Sequence, residues 1–172
     1  MTSPLKNFTF MTAAAIALFI GTGCQSTDRH QQLTERNMNS MREFEICINT
    51  CDETMAQKLI AADAPFYTPV SPKPLIGAAG YLSVVKMMRQ SFPDVHWKLE
   101  EMVADEKKVA VRWTCSGTHT GPQPFYGVAA SGKKFSACVM NFYYFDQDGK
   151  IYNDIAAEGL IAILRQIGAV DK

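Results

Sequence analysis

A chain of 172 residues, 47% hydrophobic and 20% charged, has room for one domain with a sizeable core but not for two. Seventeen basic side chains balance seventeen acidic ones and no run of Lys or Arg exceeds two, which argues against a nucleic-acid partner. After residue 24 no stretch approaches the roughly 20 apolar residues that cross a bilayer, so the mature part is expected to be soluble.

The N-terminus has a different pattern. Lys6 is the one charge in the first ten residues, Phe8 to Ile20 is almost wholly apolar, and the small residues Gly21, Thr22 and Gly23 lead into Cys24. This reads as a lipoprotein signal peptide over residues 1–23, with lipid attached at Cys24 and the protein held by it at a membrane. Gly21 stands where such signals usually carry Leu, with Ile20 one step earlier, so an ordinary secretory peptide or an uncleaved anchor helix is the alternative. Gln25 after the cysteine resembles lipoproteins sorted to the outer membrane, which implies export and anchoring at its periplasmic face. Residues 24–39 are polar, lack a core-forming pattern and read as a flexible tether. Four thiols then remain, Cys47, Cys51, Cys115 and Cys138, an even count that permits bridges in an oxidising compartment.

The folded domain is expected over residues 40–170. Ser40 with Glu43 forms a capping box, and Met41, Phe44, Ile48 and Cys51 follow at helical spacing. Thr50, Asp52 and Glu53 are start signals in mid-stripe, so the helix breaks near Cys51 and resumes through Met55, Leu59 and Ile60. The stretch Pro69 to Pro74 must be irregular. Gly80 precedes a third helix through Tyr81, Val84, Val85, Met88 and Phe92, closed by Pro93.

From Val95 the period changes to two. Strands are expected over Val95 to Glu100, Val109 to Thr120, Phe135 to Phe145 and Lys150 to Ala157, and Leu160 to Ile167 forms a closing helix. Helices followed by a four-strand meander make an α+β fold, with the helices covering one face of a curved antiparallel sheet.

Five runs carry a resemblance: Ser91-Phe92-Pro93-Asp94, Val109 to Thr114, Gly117-Thr118-His119-Thr120-Gly121, Asp148-Gly149-Lys150-Ile151, and Leu164-Arg165-Gln166-Ile167-Gly168. Together they resemble the SnoaL-like polyketide cyclases, also called ester cyclases, of the nuclear transport factor 2-like superfamily. The resemblance implies a cone-shaped sheet, helices closing an apolar pocket for a small ligand, and frequent homodimers through the sheet. It also implies cofactor-free ring closure with an aspartate on the last strand as acid and base. That aspartate falls on Ala156, and the family's usual tryptophan beside it is replaced by Ile155.

Asp154 and Glu158 share the side of Ala156 and are the candidates to replace the missing base. Their plain alternatives are a solvated carboxylate near a turn and a cap on the final helix. Related epoxide hydrolases of this fold imply a pocket role for the positions of Arg112 and Thr114, and the cyclases imply one for Asn141. An arginine there would orient a carbonyl, or else it is an ordinary strand residue paired with an acid. His119 belongs to a family motif and is either a pocket group or structural. If Thr120 stands opposite Lys133, the register sets Arg112 across from Asn141 and Cys115 across from Cys138, close enough for a disulfide. No spacing for a metal site, phosphate loop or nucleophile elbow occurs, so neither metal nor cofactor is expected. A binding protein that kept the pocket and lost the chemistry is the second reading.

Overall fold

The computed structural model describes residues 21–67, 71–157 and 159–170, with side chains from Thr27 onward. Most of the expected signal peptide, the Cys24 side chain and Glu158 lie outside the described residues. Two helices come first, α1 (Gly21–Thr50) and α2 (Glu53–Leu59), followed by the short strands β1 (Pro65–Phe66) and β2 (Leu75–Ile76). Then come α3 (Gly77–Ser91), the meander β3 (His96–Ala104), β4 (Lys108–Thr118), β5 (Lys134–Phe145) and β6 (Ile151–Ala157), and finally α4 (Leu160–Ile167). The strands form one open sheet in the order β2-β1-β6-β5-β4-β3, curved with irregularities at Leu99/Glu101 and at Tyr144/Phe145. No helix among the described residues is long and apolar enough to cross a membrane.

The expected start of the first helix at Met41 is corrected: among the described residues α1 already runs from Gly21, and the stretch expected as a tether is helical. Polar contacts explain why the apolar stripe missed its first half. The Arg36 guanidinium donates to the carbonyls of Gln147, at 3.1 Å, and Asp146, and fully buried Asn37 donates to the carbonyl of Asp105. The break at Cys51 is where the spacing put it. Cys51 adopts φ 56°, and Asp52 accepts from the Met55 N–H to cap α2. Further along α1, Asn49 acts as a substitute strand neighbour for β3: it accepts from the Trp97 N–H at 2.9 Å and donates to the Trp97 carbonyl. Glu45 accepts from the Leu99 N–H, so α1 satisfies the open edge of the sheet.

The sheet's inner face carries two apolar clusters. One gathers Met41, Phe44 and Ile48 of α1 with Val109, Val111, Trp113 and Tyr143; the other gathers Phe92, Cys115, Phe125, Phe135, Ile163 and Ile167. Trp97 and Val139 touch both. The outer face of the same strands carries Arg112 and Thr114 on β4 and Cys138, Met140 and Phe142 on β5.

That register differs by one residue from the expected one. Thr118 pairs with Lys134, Arg112 with Met140 and Thr114 with Cys138, while Cys115 faces Ala137. Cys115 is therefore buried and Cys138 exposed on opposite faces, so the bridge that the other register would have permitted is not formed, and all four described cysteines are free. The physical cause is at the mouth of the loop, where the His119 N–H donates to the Lys133 carbonyl and the His119 carbonyl accepts from Gly132, so that Lys133 stands opposite His119 rather than Thr120; one residue of slip exchanges the faces.

Candidate active site

A cavity of about 130 Å³ opens at the seam of the two apolar clusters. Phe66, Tyr81, Trp97, Trp113, Phe125 and Tyr143 supply much of its wall, and exposed Tyr67, Tyr126 and Ala156 reach its rim. Two polar side chains stand among them. Asp154 of β6 is half-buried and lines the cavity, and Asn141 of β5, 5% exposed, donates through Nδ2 to both its carboxylate oxygens at 2.8 and 3.1 Å. Asp154 is the one charged side chain in the described wall.

Local structure explains the placement. Tyr143 pairs with Asp154 across β5 and β6, and Asn141 pairs with Ala156, so both polar groups and Tyr143 share the inner face. On the other side of β6, β1 runs parallel and sets Phe66 level with Asp154. Gly77 starts α3 at φ +64°, where a Cβ would lie 2.6 Å from the Ala62 carbonyl oxygen, and one turn later α3 carries Tyr81 to the wall. Phe66 and Phe44 pack edge-on against Tyr81, with ring centroids 4.8 and 5.1 Å apart. Burial pushes Tyr143 well above the ordinary tyrosine range, with neighbouring Tyr81 and the charge of Asp154 adding to it. Cys115 also lines the cavity, and burial pushes its thiol up to about 12, so it is no nucleophile at neutral pH.

Three expected pocket groups are elsewhere. Arg112 is exposed on the outer face and pairs with Glu101 at 3.2 Å. Thr114 is on the same outer face, near Glu100, whose carboxyl is held below its ordinary value by Lys98 first and then by Thr114. The apolar side of β4, Val109, Val111, Trp113 and Cys115, has taken the interior, as the hydrophobic effect requires. His119 is fully buried but belongs to the Phe92 cluster. Its Nδ1 lies 3.2 Å from the Ser131 hydroxyl, its ring is 5.0 Å from that of Phe92, and burial pushes its pKa down. It packs; it does not line the cavity. Trp113, Tyr81 and Tyr143 were legible only as core aromatics.

The SnoaL-like polyketide cyclase family description matches residues 39–167 of this sequence. The chain belongs to that family. TsrD from Streptomyces laurentii is similar to it at 21% identity and a TM-score of 0.69, over 79% of this chain and 97% of that one. IdmH from Streptomyces antibioticus is similar at 24% identity and a TM-score of 0.65, over 77% and 98%. AclR from Streptomyces galilaeus is similar at 20% and 0.67, over 81% and 89%. At these identities the likeness is one of fold. None of the curated proteins matches the chain.

Within the family frame, the signature runs turn out to be joints of the scaffold. Asp94 accepts from the Thr118 N–H and hydroxyl, both at 2.7 Å, tying two of the runs together; these bonds hold its carboxyl below the ordinary value. Gly121 donates to the Ser91 carbonyl, and a Cβ there would stand 2.0 Å from the Gln90 carbonyl oxygen. Gln166 pairs with the Ser136 N–H and carbonyl at 2.9 and 3.0 Å, sealing α4 to β5. The position to which the resemblance assigns the family's aspartate is Ala156, at the cavity wall and without a proton to exchange. The carboxylate in the described wall is two residues earlier, at Asp154.

Proposed function

We propose that this protein is a cofactor-free acid/base enzyme of cyclase or isomerase type, acting on a small apolar carbonyl compound with Asp154 as the base. The observation that carries this reading is a single carboxylate in the described wall, held by an amide among aromatic and aliphatic side chains. In such surroundings the Asp154 carboxylate takes a proton from carbon next to a carbonyl, the electron pair moves to the carbonyl oxygen, and the same carboxyl returns the proton to carbon. The developing oxyanion needs donors, and the hydroxyls of Tyr81 and Tyr143 are the groups in the wall suited to it. The test is deuterium incorporation at the α-carbon of acetophenone in heavy water, followed by proton NMR. The wild type should accelerate exchange over buffer; absence of any acceleration overturns the reading.

A binding protein without chemistry is the second reading. It is favoured by the two Asn141 contacts, which stabilise the charged carboxylate and so weaken it as a base. Two further expectations belong to the same proposal. Export with lipid at Cys24, at the periplasmic face of the outer membrane, is checked by fatty-acid labelling, which Cys24→Ser should abolish. A homodimer through the sheet is supported by exposed Val103, Met140, Phe142 and Ile155 on the outer face; a monomer in sedimentation at micromolar concentration would count against it.

A further inference from the structure

Among the described residues two besides glycine adopt a positive φ, Cys51 and Tyr126. Cys51 is accounted for, because it ends α1 where the Asp52 N–H bonds back to the Cys47 carbonyl. Tyr126 stands in a tight turn instead. Phe125 and Val128 exchange both backbone hydrogen bonds, at 2.9 and 3.0 Å, and between them Tyr126 has φ 47° and Gly127 φ 79°. That is the type I′ pattern of a two-residue hairpin, whose first central position favours Asn, Asp or Gly because a larger side chain there crowds its own backbone. A tyrosine works against the turn it occupies. Core packing does not explain the choice. Phe125 is 3% exposed and packs edge-on against Phe92, whereas Tyr126 is 45% exposed and only leans edge-on on Phe125. Nor is the turn crowded, since a Cβ on Gly127 would meet nothing within 4 Å.

Residues kept in unfavourable backbone conformations gather where a ligand is held. Tyr126 lines the cavity at its rim, and so does Tyr67 after β1, which is 69% exposed. Two large aromatic side chains are thus left in water at one opening. Size gives them a task. A cavity of about 130 Å³ compares with the ~150 Å³ at which an apolar protein cavity takes up benzene, so a ligand of more than one ring reaches the rim. We propose that Tyr126 is a specificity-determining residue: its ring packs against the flat outer ring of a bicyclic aromatic ligand whose first ring is held inside the cavity. This inference rests on the cavity being the ligand site and not on proton transfer.

The test follows the binding of three methyl ketones to the full chain by NMR: acetophenone, acetylnaphthalene, and acetyltetralin, whose outer ring is saturated and no longer flat. Both tryptophans of the chain line the cavity, and their indole N–H signals follow occupancy directly. The wild type should bind acetylnaphthalene about fivefold more tightly than acetyltetralin, and Tyr126→Phe should keep that preference. Tyr126→Asn should abolish it, weaken acetylnaphthalene about tenfold and leave acetophenone within about twofold. The same variant should raise the urea midpoint, because Asn-Gly suits the turn. Affinity and stability then move in opposite directions, as they would not for a merely structural tyrosine. Equal affinity of the wild type for the two bicyclic ketones overturns the inference and leaves the proposed enzyme standing. So does a lower urea midpoint in Tyr126→Asn with weaker binding of all three ketones. If no ketone moves either indole signal, the ligand site itself is misplaced and the inference falls with it. Absence of α-proton exchange with the ring preference intact removes the enzymatic reading and leaves Tyr126 its role.

Discussion

The inner and outer faces of β4 and β5 are built from alternate residues of the same two strands, yet they obey different rules. Inside, Val109, Val111, Trp113, Cys115 and Tyr143 are almost wholly removed from water, and the one amide among them, Asn141, is engaged with Asp154. Outside, Arg112, Thr114, Cys138, Met140 and Phe142 are exposed or half-exposed, and their polar groups meet only neighbours such as Glu101 and Glu100. The lesson is that polarity by itself does not mark a site on a sheet. A polar residue acquires chemical consequence where burial removes the competition of water, and an arginine at the surface has less of it than an asparagine in the core.

The contrast can be broken most deeply at the carboxylate. If proton exchange occurs in the cavity, Asp154→Asn should lower the exchange rate by about a hundredfold or more, as for loss of a general base, whereas Glu101→Gln on the outer face should leave it unchanged. A drop of equal size in both variants would show that the effect is one of stability. Next comes packing. Trp113→Ala removes the largest buried side chain of the inner face and should cost about 3–5 kcal/mol in urea unfolding, against a change within about 0.5 kcal/mol for Arg112→Ala, which breaks one solvent-exposed ion pair.

Thiol chemistry sharpens the same contrast with a smaller effect. Burial pushes Cys115 up to about 12 and Cys47 to about 11, from the 9.0 at which such thiols ordinarily ionise. Their contribution to stability is complete below the unfolded value and is lost as pH rises through the folded ones. The urea midpoint should therefore fall between pH 9 and 11, and replacing Cys115 and Cys47 with Ala should flatten that slope. At neutral pH iodoacetamide should label exposed Cys138 quickly and leave Cys115 untouched until the protein unfolds. Four reactive thiols besides Cys24 after denaturation without reductant would agree with four free cysteines; two would mean a bridge.

Much of this was legible in the residues because it depends on local patterns. The period changes at Val95, the break at Cys51 and the turn at Gly149 are set by side-chain alternation, by chain stops and by backbone conformations glycine tolerates, and each element from α2 onward except the two-residue β1 and β2 is close to its expected place. The family runs were legible too, and they conveyed the fold rather than the chemistry because Asp94, Thr118, Gly121 and Gln166 are joints between elements. Asn141 stood out as an amide on an otherwise apolar strand, and Asp154 as one of two acids flanking the position of the missing aspartate. Tertiary structure alone decided the rest. The one-residue register of β4 on β5 separated Cys115 from Cys138, a quantity set by a loop whose length does not reveal where its residues leave the ladder. The burial of the apolar side of β4 sent Arg112 and Thr114 outward. The contact of Phe66 with the level of Asp154 joins residues nearly ninety apart through a parallel pair only two residues long, too short to leave any periodicity in the sequence.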